Sequence, residues 1–322
     1  MLTPSENKRT LLKKQQLDII IGYACNANCP HCIQDIRYQS LVACEDQFFD
    51  NLRQTFDYYF YDIGGRKIII TGGEPSIFPL KLIRILKLLQ SYPKPEFVAT
   101  YTNGSGLLKK VPGESKTFVE RIAEEGLTDI NLSVHHYHEN RNREFFGLPK
   151  LTEAYFIARE VRNIGLQLRL NCNLLKNYVG NLQEIISYLE WARVLNPKDV
   201  YFRDLHRIHN RPNSTRYAKK PEKITYTDEQ RVDFDDIVRK MKNSPSFKFV
   251  SQWGDKHAGQ GEQYDFNYKG LSVKIGYIDI GNEDREQPTY FVFAPDGKLY
   301  ADWNGPESLQ NIPINFQSVS YS

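Results

Sequence analysis

Three cysteines stand close together near the start of the sequence, and their spacing is typical of a metal centre. Cys25, Cys29 and Cys32 leave gaps of three and two residues. Thiolate sulfur in one short loop suits an iron–sulfur cluster or zinc. A structural zinc site usually has four protein ligands, so Cys44 or a histidine would have to complete it. A four-iron cluster would keep one iron open to a substrate or cofactor.

The elements that carry these cysteines alternate between strand-like and helix-like segments. The strand-like segments are short, rich in apolar residues and bounded by glycine, proline, asparagine or aspartate. Such an order predicts a parallel sheet with right-handed crossovers, in which chemistry lies at the carboxyl ends of the strands. We therefore expect an α/β fold, a partial (β/α)6 TIM-like barrel with a small β-containing C-terminal extension. The six predicted strands are residues 17–23, 66–71, 97–102, 129–135, 166–173 and 199–205.

Two further motifs fall at the ends of the second and third predicted strands. Gly72, Gly73 and Glu74 precede a proline, and Asn103 stands between a threonine and a glycine. With the cysteine motif, which has an aromatic His31 before its last cysteine, these segments resemble the radical S-adenosylmethionine (SAM) superfamily. The resemblance covers about residues 17–205.

The resemblance implies one [4Fe–4S] cluster on Cys25, Cys29 and Cys32, with SAM chelating the fourth iron. It also implies that the two glycines let the backbone approach the SAM amino group, with Glu74 as its counter-charge. Asn103 belongs to the same cofactor site. Cofactor and cluster would carry the chemistry, in which a 5′-deoxyadenosyl radical removes a hydrogen atom, while the protein orients the reactants and excludes water.

Strand alternation places polar side chains inside the predicted barrel. On the fifth strand Arg169, Asn171 and Asn173 share a face opposite the apolar one, with solvent-facing edge residues as the alternative. The radical SAM family uses this region to bind SAM, so the resemblance implies that Asn171 contacts SAM. Ser133 on the fourth strand resembles the serine that contacts the SAM ribose in the family. His135 and Arg169 are the candidate catalytic residues, His135 through hydrogen bonding or acid–base chemistry.

Two positively charged features of the sequence each allow two roles. Arg203 on the sixth strand is expected in a surface ion pair, with a contact to an anionic substrate as the alternative. Residues 206–228 are basic and are expected to form a solvated loop, with a substrate lid as the alternative. Cys172 is expected to be a small core residue because it lies on the apolar face of its strand.

The sequence divides into three predicted regions. Residues 1–16 form an N-terminal extension, residues 17–205 the core, and residues 206–322 a C-terminal extension with a basic loop, a helix at 228–241 and a hairpin at 289–302. The hairpin resembles one that leads to auxiliary clusters in peptide-modifying relatives, but Asp302 stands where a cysteine is usual. We expect it to cap the barrel. No cysteine follows Cys172, so one cluster is predicted.

Composition and charge argue against several classes of protein. The chain has 322 residues, a formal net charge of +3 and five cysteines. This balance does not indicate a nucleic-acid-binding protein, and no apolar run approaches the twenty residues of a membrane span. Residues 1–16 lack the apolar segment of a secretory signal. We expect a cytoplasmic protein without membrane or nucleic-acid partners.

Three hypotheses about function remain. The first is a radical SAM enzyme that acts on a small biosynthetic molecule, for which a nucleoside or nucleotide is one possibility. The second is a radical SAM enzyme that modifies a ribosomally made precursor peptide. The third is a non-catalytic metal-binding protein. Either enzyme would need an electron donor such as flavodoxin or ferredoxin.

Overall fold

Six parallel strands form the centre of the computed structural model, which describes residues 16–32, 39–205, 221–253, 262–277, 290–301, 303 and 309–310. The strands pair in chain order, each with the next. The α/β class and the parallel sheet of the sequence analysis are confirmed. These strands are β1 (Gln16–Ile20), β2 (Lys67–Thr71), β3 (Phe97–Thr102), β4 (Asp129–Ser133), β5 (Gln167–Asn173) and β6 (Asp199–Arg203).

Helices between these strands cover the outer face of the sheet. In the first helix Phe48, Leu52 and Phe56 are fully buried, since residues four apart share one face. They join the outward side chains of the strands, such as Ile68 and Leu170, in the main core. The helices are α1 (Glu45–Asp57, continued by a π-helical turn Tyr58–Asp62), α2 (Pro79–Leu89), α3 (Phe118–Glu124), α4 (Glu139–Phe146), α5 (Ala154–Asn163) and α6 (Leu182–Leu195).

The inner face of the strands is polar where the sequence predicts it. Leu168, Leu170 and Cys172 of β5 belong to the apolar core outside the sheet. Asn171 points to the opposite face and is buried, as is Asn131 of β4. An ordinary packed barrel holds branched apolar side chains at such positions. The polar lining therefore indicates an interior that binds ligands.

C-terminal strands extend both edges of this sheet. Strands β7 (Phe247–Trp253), β8 (Glu262–Tyr268) and β9 (Leu271–Tyr277) are antiparallel, and β9 pairs in parallel with β6. Strand β10 (Tyr290–Phe293) pairs in parallel with β1 and in antiparallel with β11 (Leu299–Tyr300). The sheet order is β11-β10-β1-β2-β3-β4-β5-β6-β9-β8-β7.

The C-terminal hairpin is confirmed, but its expected place as a cap on the barrel is wrong. It lies beside β1, where its first strand satisfies the backbone hydrogen bonds of that edge. Asp302 lies outside the described residues. The division of the chain at residues 16 and 205 stays a prediction.

The region after β6 also differs from the sequence analysis. The expected loop 206–228 contains a helix, α7 (Pro221–Gln230), while residues 206–220 lie outside the described part. The expected helix 228–241 begins later, as α8 (Phe234–Asn243). It begins there because the Asp233 side chain accepts a hydrogen bond from the Asp236 backbone N–H at 3.0 Å. No helix among the described residues combines the length and apolar character needed to cross a bilayer.

Candidate metal and cofactor site

The three-cysteine loop directly follows β1. Cys25 is exposed, Cys29 and Cys32 are partly buried, and none of the three forms a disulfide. Burial raises the pKa of the Cys29 thiol, and the neighbouring Cys32 and Cys25 raise it further. The charges of Cys25 and Cys32 thus both act on the Cys29 thiol. A bound cationic centre would stabilise the thiolate forms.

The donor set of this loop fits an iron–sulfur cluster. Among the described residues, no three histidine, cysteine, aspartate or glutamate side chains converge as a single metal ion requires. Thiolate sulfur is the usual ligand of iron–sulfur clusters, and this short loop supplies three cysteines. Cys25, Cys29 and Cys32 would hold such a cluster, and no further protein ligand is needed.

The loop after β2 lies directly against the cysteine loop. The backbone N–H of Gly73 donates to Gly22 O at 2.9 Å, and that of Glu74 donates to Ala24 O at 3.0 Å. A Cβ atom on Gly72, whose φ is +148°, would lie 2.4 Å from Gly22 O, and one on Gly73 would lie 2.0 Å from Ala24 O. Glycine is therefore required here because two backbones touch.

Glu74 joins this loop to the end of β3. Its side chain is 1% exposed and accepts hydrogen bonds from Thr102 Oγ1 at 2.6 Å, Asn103 N at 2.8 Å and Ser76 N at 3.0 Å. Burial raises the pKa of the Glu74 carboxyl, while these hydrogen bonds act in the opposite direction. Both oxygens are thus engaged within the protein, and a role as counter-charge to SAM stays a prediction.

Asn103 and Ser133 lie near one another at the ends of β3 and β4. Both line a small cleft that is closed on its other side by residues of α4 and α5. The Asn103 side chain also donates to Asn26 Oδ1 in the cysteine loop at 3.0 Å. The structure therefore brings these two predicted cofactor residues together beside the cysteines.

His31 connects the cysteine loop to the end of β5. Its Nε2 lies 2.5 Å from Asn173 Nδ2, and its ring centroid is 5.3 Å from that of His135. His135 Nδ1 accepts the backbone N–H of Asn173 at 3.1 Å. Burial lowers the pKa of His135 well below its usual value, with His31 lowering it further. The lowered pKa favours the neutral imidazole, and acceptance of a hydrogen bond at Nδ1 then assigns the proton to Nε2.

Asn171 lies two residues before Asn173 on β5, and Arg169 lies two residues nearer the start of the same strand. Asn171 is 4% exposed, and neither atom of its amide has a hydrogen-bond partner. Such a group indicates a missing ligand. Arg169 forms two hydrogen bonds with Asp199, at 2.5 and 2.7 Å. The structure places Asn171 among the predicted cofactor residues and engages Arg169 with Asp199; the roles of both stay predictions.

One residue of the site was missed by the sequence analysis. Lys223 of α7 is buried, and its Nζ donates to the backbone oxygen of Cys29 at 2.9 Å. In the sequence it is one of several cations in a polar segment that was expected to be solvated. Only the path of the chain after β6 brings it to the cysteine loop, so no local pattern could have identified it.

Comparison with known families agrees with the resemblance found in the sequence. The sequence model of the Radical SAM superfamily matches residues 19–189. A GTP 3′,8-cyclase of Vibrio atlanticus is 31% identical over 183 residues, which is 55% of this chain and 50% of that protein. A probable GTP 3′,8-cyclase of Sulfurisphaera tokodaii is 25% identical over 220 residues, covering 68% and 65%. The chain spans about half the length of most of the curated relatives it matches.

Solved structures confirm the fold. Streptococcus suis SuiB bound to the precursor peptide SuiA gives a TM-score of 0.59 at 14% identity, covering 99% of this chain and 67% of that one. SuiB bound to S-adenosylmethionine gives 0.53 at 14% identity, covering 95% and 62%. At this identity the likeness concerns the fold alone.

Proposed function

Because this chain belongs to the radical SAM superfamily, we propose that Cys25, Cys29 and Cys32 hold its [4Fe–4S] cluster and that it acts on a small biosynthetic molecule. Held by these cysteines, a reduced [4Fe–4S] cluster with SAM would supply one-electron chemistry that removes a hydrogen atom from the substrate. The observation that carries the proposal is the contact of the three-cysteine loop with Gly73 and Glu74 at the ends of neighbouring strands.

The chain's own residues would then orient the cofactor. Gly72 and Gly73 present backbone beside the cysteine loop, and Asn103 and Ser133 line the adjoining cleft. The Asn171 amide offers both a donor and an acceptor on the inner face of β5. Neutral His135 carries a proton that it could donate to a ligand in the interior. Membership in an enzyme family favours this function over the non-catalytic alternative.

We propose a nucleotide, with GTP as the first candidate, as the substrate. Support comes from the relatives named as GTP 3′,8-cyclases, which are 31% and 25% identical over their matched regions. The proposal includes a cytoplasmic location, where a low-potential donor such as flavodoxin or ferredoxin would reduce the cluster. Modification of a precursor peptide remains the competing substrate hypothesis.

Anaerobic reconstitution tests the first part of this proposal. We expect four irons per chain and release of 5′-deoxyadenosine when dithionite and SAM are added. Changing Cys25, Cys29 or Cys32 to alanine should abolish both, since each supplies one cluster ligand. The matched controls Cys44→Ala and Cys172→Ala should keep the cluster. Full activity in any variant of the first three cysteines would refute the assignment.

A second assay tests the substrate. The reduced, SAM-loaded protein is incubated with GTP, and GTP loss and product mass are followed by mass spectrometry, with ATP as the matched control. Loss of GTP in step with 5′-deoxyadenosine supports the nucleotide hypothesis. Release of 5′-deoxyadenosine without any change in GTP refutes it and leaves the cofactor chemistry intact.

A further inference from the structure

Arg203 does not lie in the surface ion pair expected from the sequence. Its side chain points from β6 into the barrel, where Nη2 donates to the Tyr101 hydroxyl of β3 at 2.6 Å. Its Cζ lies 4.5 Å from the ring centroid of Tyr201 and 5.2 Å from that of Tyr101. The guanidinium therefore reaches across the interior from one strand to another three strands away.

Arg203 differs from two other cations of the interior in its pairing with carboxylates. Arg169 forms an ion pair with Asp199 at 2.5 Å, and Lys274 of β9 forms one with Asp265 at 3.5 Å. Within the described part of the chain, no carboxylate forms an ion pair with Arg203, and its Nε is buried without a hydrogen-bond partner. A partly buried guanidinium with a free donor favours an anion that accepts hydrogen bonds.

A second observation indicates a ligand beside Tyr101. Asn131 of β4 is the direct neighbour of Tyr101 in the sheet and is 1% exposed. Neither its amide oxygen nor its amide nitrogen has a partner. On the β9 side of Arg203, its sheet partner is Gly276, which has no side chain to occupy this space. Buried amides left without partners are rare in native proteins, so the group that satisfies Asn131 is expected to come from a ligand.

We propose that Arg203, Tyr101 and Asn131 form the substrate subsite that binds an oxyanion, the phosphate of the nucleotide proposed above. Arg203 and the Tyr101 hydroxyl face the anionic oxygens, and the Asn131 amide binds a neighbouring polar group of the same molecule. This inference rests on the proposed function, because it names the group by which that substrate is held.

Binding measurements on the cluster-loaded protein with SAM test the subsite. Titration calorimetry with GTP and with inorganic triphosphate should show binding that Arg203→Met weakens about tenfold or more, because a charge-assisted contact is lost. Arg203→Lys keeps the charge without the planar donors, so its affinity for GTP should lie between those of Arg203→Met and the unaltered protein. The matched control Arg53→Met, on the exposed face of α1, should bind as the unaltered protein does.

The outcomes separate this inference from the proposed function. SAM affinity should stay unchanged in Arg203→Met, which shows that the variant is folded and that its cofactor site is intact. Equal GTP affinity in Arg203→Met and the unaltered protein overturns the subsite, as does a lack of any GTP binding. Arg203-dependent GTP binding without SAM cleavage would instead support the subsite and refute the proposed reaction.

Discussion

Replacing Glu74 with alanine should loosen two loops of the candidate site at once. The carboxylate accepts hydrogen bonds from the backbone N–H groups of Asn103 and Ser76 and from the Thr102 hydroxyl. A hydrogen bond to a charged group contributes about 1.5–3 kcal/mol, and tenfold in an equilibrium corresponds to about 1.4 kcal/mol. If local opening exposes each amide, its hydrogen exchange should become about 10- to 150-fold faster.

Hydrogen–deuterium exchange of the cluster-loaded protein measures this effect. Peptides that contain Asn103 and Ser76 should gain deuterium faster in Glu74→Ala, while peptides from α6 should not change. Glu96→Ala, which removes an exposed carboxylate just before β3, is the matched control and should exchange as the unaltered protein does. Unchanged exchange at both amides in Glu74→Ala would show that the carboxylate does not hold these loops together.

Three further predictions concern Lys223, the ion pair of Arg169 and the buried His135. Lys223→Met removes the hydrogen bond to Cys29 O, so a chelator should extract iron from this variant faster than from Lys223→Arg. Equal rates of iron extraction from the two variants would contradict this role of Lys223. Asp199→Asn should lower the free energy of unfolding, measured in urea, by about 3–5 kcal/mol, because it leaves the charge of Arg169 unpaired. The double variant Asp199→Leu, Arg169→Leu removes both charges and should lower the free energy of unfolding by less. The pKa of His135 is lowered on folding, so protons bind the unfolded chain more strongly and stability should fall as the pH drops below about 6.5. His135→Gln should reduce this slope by up to about 1.4 kcal/mol per pH unit, and an unchanged slope would show that His135 does not contribute.

The positions of the motifs could be predicted because they depend on local sequence. Short apolar runs mark the parallel strands, and Cys25, Gly72 and Asn103 directly follow three of them. In a parallel sheet those ends lie along one edge, so strand order alone brings the motifs together. The polar inner face of β5 followed in the same way from the alternation of Asn171 with Cys172.

Features that depend on the path of the chain could not be predicted. Helix α4 carries mostly polar side chains, so it lacks a clear apolar stripe, and its buried Phe145 and Phe146 are adjacent in sequence. Arg203 lies on the expected face of β6, but its contact with Tyr101 depends on the curvature of the sheet across three strands. Lys223 reaches the cysteine loop only because α7 returns to it.

The pairing of β1 with β10 has a consequence for how the protein is made. Gln16 lies beside Tyr290, so β1 acquires this outer neighbour only after the long segment between the two strands has been translated. Until then one side of β1 exposes unpaired backbone groups, which invite association with other nascent chains. Contacts this distant in sequence also slow folding.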